Sequence, residues 1–599
     1  MMKRGFKIKL FALGLAAVLT APFLAGCNKE KPRKRVELVE GSLPLGVYAE
    51  RMDITVGQMV SATKYISGET ASDNVVYDLY REILNVNFVS KFSANIGEAY
   101  TTQLSMAMLG DDLPDLFFAR QSELSELIEQ DMVADLTEAY EKYASPALRL
   151  AVEYGYTGDY AMWNGGNPSI PRRPEILESA TVNGKLYGFP FLADLFTECP
   201  IIWIRADWLK KYADAHAIPY NESDGNGLSE LLPAGFNQYL DIIRWFAANN
   251  LTKGGKQSFG VAMGFGGSGL QGFADVFGAA PTAYTQDASG KYGYGMDSEN
   301  AKSMMRLLNS LYREKVIDAN SALDGQLLKA ALSAGKVGSF VGEYWHVMEY
   351  LTNAAVNEPG CDWLPWAIKG FDGELIQPLV PLNILDRSYY AVSDRCPNPE
   401  IVVVLANHLI DAFYSDEGEL TRRTVEIRQS EKYRPARDEV MMYSPVRVDA
   451  PNKNIRYAYD MQYALKTGDE SRMSLDCREQ YEVVKKYADD PTGTGKSYYG
   501  LYKVFGPNGA YNALNEYVDY DYTKDRNRLV VNFKRPAYTT MNTKLMNKYG
   551  GILTDFMGIQ LVNFYTGDSV FTDAQWDAYI GELYAKGMRE ILNDLNKGK

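Results

Sequence analysis

Histidine is nearly absent, with three in 599 residues. A catalytic or metal centre built on several imidazoles therefore fits this chain poorly. The five cysteines are widely spaced and never form Cys-x-x-Cys, so the spacing demands neither a zinc ribbon nor a disulfide framework. Positive charge is short as well. Lys and Arg number 62 against 76 Asp and Glu, a net charge of −14, which is opposite to the basic footprint of a general nucleic-acid binder. After residue 26 no uncharged apolar run reaches the ~18 residues that span a bilayer. Hydrophobic residues are not lacking: at 46%, with 12% aromatic, they exclude disorder and collagen-like chains. The surplus is in tyrosine. There are 42, more than the 24 Phe and 8 Trp together.

The first thirty residues read separately from the rest. Lys3, Arg4, Lys7 and Lys9 form a positive n-region, and Leu10–Leu24 is apolar and uncharged. A short apolar run closed by small residues predicts a secretory signal peptide over 1–26. The closing Leu24-Ala25-Gly26-Cys27 resembles the lipobox of bacterial lipoproteins. In that class the cut falls before the cysteine, whose sulfur carries a diacylglycerol, so Cys27 is the expected lipidation site. Several acyl chains, at roughly 0.8 kcal/mol per buried methylene, hold such a protein firmly. Residues 27–47 then read as the lipidated cysteine and a basic tether ending at a Pro/Gly turn. Taking away the four positive charges of residues 1–26 leaves −18. Taking away the five positive and one negative of residues 28–35 leaves −22 from Val36 onward. A basic tether beside an anionic lipid surface suits an acidic body.

Periodicity places the elements. Met52–Val60 alternates as a strand, Asp73–Asn85 reads as a helix, and Val86–Ser90 as a short strand. The helix Gly97–Leu109 stops at Gly110-Asp111-Asp112, and Leu116–Ala119 is a buried strand before the helix Ser122–Glu129. This βαβα rhythm predicts a parallel sheet covered by helices. It resumes with strands Leu186–Phe191 and Ile201–Ile204, helices Trp208–His216 and Phe236–Ala248, and strand Phe259–Met263. Helices Ala301–Glu314 and Gln326–Ala334 and strand Val337–Gly342 follow. Residues 400–599 read as mostly helical.

Three motifs are decoys. Gly264-Phe-Gly266-Gly-Ser-Gly269 fits a dinucleotide fingerprint, which needs an acidic residue ending the next strand, but the next ~20 residues hold another glycine-rich loop. It reads as a ligand-side or structural loop. Gly493-Thr-Gly495-Lys496-Ser497 resembles the end of a phosphate-binding loop, but Asp490 stands where its first glycine belongs. Asp224-Gly-Asn226-Gly227 lacks the alternating carboxylates of a calcium loop and reads as a polar insert.

A family resemblance rests on several segments in order. They are Leu113-Pro114-Asp115-Leu116-Phe117, Val133–Thr137, Asn183–Pro190 with Trp203–Leu209, Gly335–Gly338 with Gly342-Glu343-Tyr344-Trp345, and Thr539–Tyr549 with Phe571–Gly587. Together, after a lipobox, they resemble the family 1 extracellular solute-binding proteins, the carbohydrate-type receptors of ABC importers, in their long lipoprotein branch. The resemblance covers about 50–595.

It implies an α/β, periplasmic-binding-protein-like bilobal fold of type II, clustering with maltodextrin-type receptors. Lobe one is expected at 48–188 plus about 342–390, and lobe two at 194–338. The helical 400–599 is shared between them, and the chain crosses near Gly188–Asp194, Ser339–Tyr344 and Ser388–Pro399. The implied function is capture of an oligosaccharide between the lobes and delivery to ABC permease subunits. The implied protein is without catalysis; a monomer with no cofactor and no nucleic-acid partner is expected, and a structural calcium stays open. It sits on the extracellular face of the cytoplasmic membrane in a Gram-positive envelope. Two alternatives stay open: the same fold binding peptides or another polar solute, and an exported polysaccharide-active enzyme.

Sugars are held by aromatic rings on their C–H faces and by polar groups at their hydroxyl rims. The resemblance puts Phe118, Arg120 and Gln121 on the cleft loop after strand Leu116–Ala119, Asp194 on the crossing strand, and Trp345 at a stacking position. Trp163 in a Gly/Asn-rich loop, the Gly267–Gln271 loop with Gln271, and Tyr389 beside Tyr390 complete the candidates. Structural roles compete with these: Phe118 also suits a core, and Asp194 a hinge-turn cap. Trp203, Trp208, Trp245 and Trp576 read as core.

Overall fold

The computed structural model describes residues 33–39, 46–60, 69–95, 97–155, 172–221, 228–264, 268–318, 325–358, 360–411, 443–519, 529–566 and 570–598. Residues 1–35 and 36–599 form separate units, and the second carries the fold. Cys27, Trp163, Gly267 and the 224–227 insert lie outside the described residues.

The strands that frame the site begin with β1 Met52–Val60, β2 Val86–Asn95, β3 Leu116–Arg120 and β4 Phe189–Leu192. They continue with β5 Ile201–Arg205, β6 Ala262–Met263, β7 Tyr284–Gln286, β8 Tyr292–Tyr294, β9 Ser339–Gly342, β10 Trp363–Trp366 and β11 Ile384–Val392. The first sheet has the order β2-β1-β3-β11-β4 and the second β6-β9-β5-β10, while β7 and β8 form a hairpin.

In the first sheet, β1 buries Met52, Ile54 and Val56 and leaves Asp53 exposed, the period-2 pattern of a strand. The next helix, Val75–Leu84, starts where Asn74 accepts the N–H groups of Val76 and Tyr77, and ends at Asn85 in the left-handed conformation. Asp115 ties β3 to β1: its Oδ2 accepts both the N–H and the hydroxyl of Thr55 at 2.8 Å. The Pro-Asp pair read from the sequence is thus a register clamp.

The second sheet is covered on both faces. Ile202 and Ile204 enter one core, and Ile201 and Trp203 the opposite one. A sheet buried on both sides reads as a continuous apolar run, which is what IIWI is. Helices Ala206–Ala215, Phe236–Ala248 and Glu299–Arg313 cover the first of these faces, together with the C-terminal helices Lys544–Thr566 and Asp573–Leu583. Helices Lys453–Thr467, Leu475–Asp489 and Tyr499–Phe505 cover the other. Helix Ile401–Leu409 packs in the first lobe. Trp203, Trp208 and Trp576 are buried as core, and Trp245 packs partly buried against the same cluster as Trp208.

Three expectations need correction. The first sheet is parallel only across β2-β1-β3, since β11 runs antiparallel to both β3 and β4. Strand β11 returns from the other lobe and is no part of a βαβ unit, so the parallel rule does not bind it. Second, residues 342–366 do not belong to lobe one. From β9 the chain continues through Thr352–Asn357 to β10, which pairs with β5 in the second sheet. The observed crossings are therefore 193–200 between β4 and β5, 367–383 between β10 and β11, and about 449–454, where Ala450 belongs to the first core and Ile455 to the third. Third, the tether ends earlier than residue 47. Val36 is already pinned by Asn398, whose side chain accepts from its N–H (3.1 Å) and donates to its C=O (2.7 Å), and Leu38–Val39 pairs with Val47–Tyr48.

Candidate functional site

A cavity of about 730 Å3 opens between the lobes. This lies within the ~300–1,000 Å3 range of small-molecule sites. The first lobe supplies Arg120, Asp386, Arg387 and Tyr389, and the second supplies Gln271, Tyr284, Glu343 and Trp345. Thr197 and Glu198 come from the first crossing, and Tyr538 and Thr539 from the C-terminal segment.

Each position has a local cause. Arg120 ends β3, and its N–H donates to Glu123 Oε2 at 2.8 Å, which starts the next helix and leaves Arg120 at the rim. Strand β11 is broken by a register shift between Ile384 and Tyr389, and Asp386 and Arg387 there have φ of 48° and 50°. Two consecutive non-glycine residues in the left-handed region cost energy that the fold must supply, and such strain concentrates at binding sites. The break turns both charged side chains towards the cleft.

Trp345 is partly buried, donates from Nε1 to Thr197 O at 3.3 Å, and stacks on the His346 ring at 3.9 Å. His346 Nδ1 lies 2.7 Å from Glu343 Oε2. Tyr538 meets Tyr284 edge-on at 5.8 Å. Burial pushes the Glu198 carboxyl up to about 7, and the neighbouring Asp386 and Glu343 carboxylates add to the rise. The cavity thus pairs aromatic surface with three carboxyls and two guanidinium groups.

No family model matches the chain, and no curated protein matches it. Solved structures do. The alginate-binding protein AlgQ2 aligns at TM-score 0.54 and 14% identity, over 92% of this chain and 98% of that one. The S. pneumoniae ABC-transporter substrate-binding protein FusA in complex with kestose aligns at 0.52 and 13%, over 90% and 97%. An HMO-binding, ABC-transporter-associated solute-binding protein from Bifidobacterium longum infantis aligns at 0.50 and 13%, over 91% and 97%. The chain has the solute-binding-protein fold.

The sequence candidates divide on the geometry of the cavity. Arg120, Gln271, Trp345 and Tyr389 line it. Tyr389 does so with a ring that is 1% exposed, because its hydroxyl is drawn inward to Ser179 Oγ at 3.0 Å. The side-chain amide of Gln271 is already committed to Asp275 Oδ1 at 2.7 Å.

Three candidates are corrected. Phe118 does not face the cleft; it is buried edge-on against Tyr100, Phe191 and Tyr390, because β3 is an inner strand covered on both faces. Gln121 is buried one residue beyond the rim and donates to Thr540 O at 3.0 Å, which clamps the C-terminal segment to the first lobe. Asp194 is a hinge knot. It accepts from Phe196 N–H (3.0 Å), Tyr511 hydroxyl (3.1 Å) and Asn454 N–H (3.3 Å), so it joins two crossings. Burial raises its carboxyl to about 7, against the lowering by those donors and by the Lys453 ammonium.

Sequence reasoning missed Glu198, Asp386, Arg387, Tyr284 and Tyr538. The one available signal was Asp386-Arg387, a charge pair interrupting an otherwise apolar strand. Among the described residues, no cluster of three His, Cys, Asp or Glu is placed to hold a metal ion, and no helix is long and apolar enough to cross a membrane. Cys199, Cys361, Cys396 and Cys477 are all buried.

Proposed function

We propose that the protein is a membrane-anchored extracellular receptor that captures an oligosaccharide between its lobes and delivers it to an ABC permease. The observation that carries this reading is the cleft itself. Rings of Trp345, Tyr284 and Tyr538 stand beside the charged rim groups Arg120, Arg387, Glu198 and Glu343, around one cavity fed by both lobes. Rings suit sugar faces, and charge-assisted hydrogen bonds suit hydroxyl rims. The structural neighbours, described as bound to kestose or as binding alginate and HMO, support the same class of ligand. Closure follows from contacts that both lobes make to one ligand, which favour the closed population.

A thermal-shift panel of linear oligosaccharides and peptides tests this reading. A binding sugar at a hundredfold excess over Kd adds about 2.7 kcal/mol of stability. Stabilisation by peptides alone sinks the carbohydrate reading, and release of reducing ends from a polymer sinks the receptor reading. The anchor is tested by Cys27→Ser, which should release the protein from the membrane into the medium.

A further inference from the structure

The cleft cavity is adjoined by a second hollow. It shares Ala283, Tyr284, Leu379 and Pro536 with a recess of about 360 Å3. That recess shares Thr285 and Gln286 with an outer groove of about 530 Å3, walled by the hairpin β7–β8 and by the C-terminal helix Arg589–Leu595. Strand β7 is thus a common wall of three successive spaces.

Two features of this wall point to a polar, ring-bearing occupant. First, rings follow one another along it. Tyr284 and Tyr538 stand in the cleft, and Tyr292, 6.0 Å from Tyr538, stands in the outer groove. Second, the recess is lined by Asp275 and Arg535, and the buried atoms Asp275 Oδ2 and Arg535 Nη2 have no hydrogen-bond partner among the described residues. Buried polar atoms without partners cost about 1–3 kcal/mol each and call for an explanation. Sugar hydroxyls suit groups of both kinds, because a hydroxyl can give a hydrogen to a carboxylate and a lone pair to a guanidinium. The hairpin is held in place independently of any ligand: Asn596 bonds both the N–H and the C=O of Tyr292, at 2.8 and 3.0 Å.

We propose that the three spaces form one binding track. One end of a linear oligosaccharide sits in the cleft, and the chain continues through the recess along β7 to lie against Arg589 and Asn593 in the outer groove. This inference rests on the oligosaccharide reading above. It adds that the receptor selects for length and holds its ligand by the end.

The test uses the full-length protein and titration calorimetry. The probes are disaccharides to hexasaccharides of three neutral glycans: β-1,4-glucan, α-1,4-glucan and β-2,1-fructan. In the series that binds, affinity should rise at least tenfold between the disaccharide and the hexasaccharide. The double variant Arg589→Ala/Asn593→Ala changes only exposed side chains. It should lower hexasaccharide affinity at least fivefold and disaccharide affinity less than twofold. Ala537→Leu, which adds apolar bulk to the wall of the recess, should abolish the rise with length. Affinity that is flat with length, or equal losses for short and long probes in these variants, overturns the track and leaves the receptor reading standing. Failure of every series to bind overturns the carbohydrate reading itself, and the track with it.

Discussion

Replacing Asp194 with asparagine separates burial from bonding at the hinge. In the native protein the carboxyl is 1% exposed, and burial raises its pKa from 3.8 to about 7. Because the folded state holds this proton more tightly than the unfolded chain, the folded protein binds more protons between those two values. Stability must therefore fall as pH rises through that window. Between pH 5 and pH 8 this one group removes about 2–3 kcal/mol, since each pH unit below the folded-state value is worth about 1.4 kcal/mol. The amide of Asp194→Asn cannot ionise. Its oxygen serves Phe196 and Tyr511 while its NH2 turns towards the Asn454 N–H, a crowding that the O–H of the protonated native carboxyl shares. Relative to the native protein, the variant should therefore differ little at pH 5 and gain about 2–3 kcal/mol by pH 8. Glu198 and Asp275, also raised to about 7 by burial, are common to both proteins and cancel in the comparison. Urea unfolding at the two pH values measures the difference. An equal effect at both would refute the claim that burial keeps this carboxyl protonated near neutrality.

Three more outcomes follow from the same geometry. Trp345→Ala should weaken binding of the captured sugar at least tenfold, seen by calorimetry, while costing the sugar-free protein about 2 kcal/mol for the lost Thr197 bond and partial burial. Phe118→Ala should do the reverse: a loss of about 3–5 kcal/mol in denaturant unfolding, with affinity changed less than threefold. Arg387→Gly relieves a left-handed residue and should stabilise the protein by about 0.5–1 kcal/mol, yet weaken binding at least fivefold.

Much of the fold was legible because its elements are locally consistent. Helix Phe236–Ala248 and strand Met52–Val60 follow their periodicities to the residue, and Asn74, Asn85 and Gly110 mark helix ends by their own chemistry. What failed was long-range. Nothing in IWIR or WLPW says that β10 pairs with β5 rather than joining the first lobe, since an apolar strand carries no label for its partner. The family resemblance, rather than residue type alone, pointed to Arg120 and Trp345, and both line the cavity. The site was not legible at Phe118, because a buried run such as LFFA does not reveal which face meets the cleft. Nor was it at Glu198 or Arg387, whose roles arise from a crossing and a strand break formed only in three dimensions.

The decisive measurement is a crystal structure of the protein with its best-binding saccharide. A sugar ring is expected between Trp345 and the Arg120–Arg387 rim, with both lobes in contact and the chain running along Tyr284 towards Tyr292. A saccharide bound by one lobe alone, or away from this cleft, would contradict capture between the lobes.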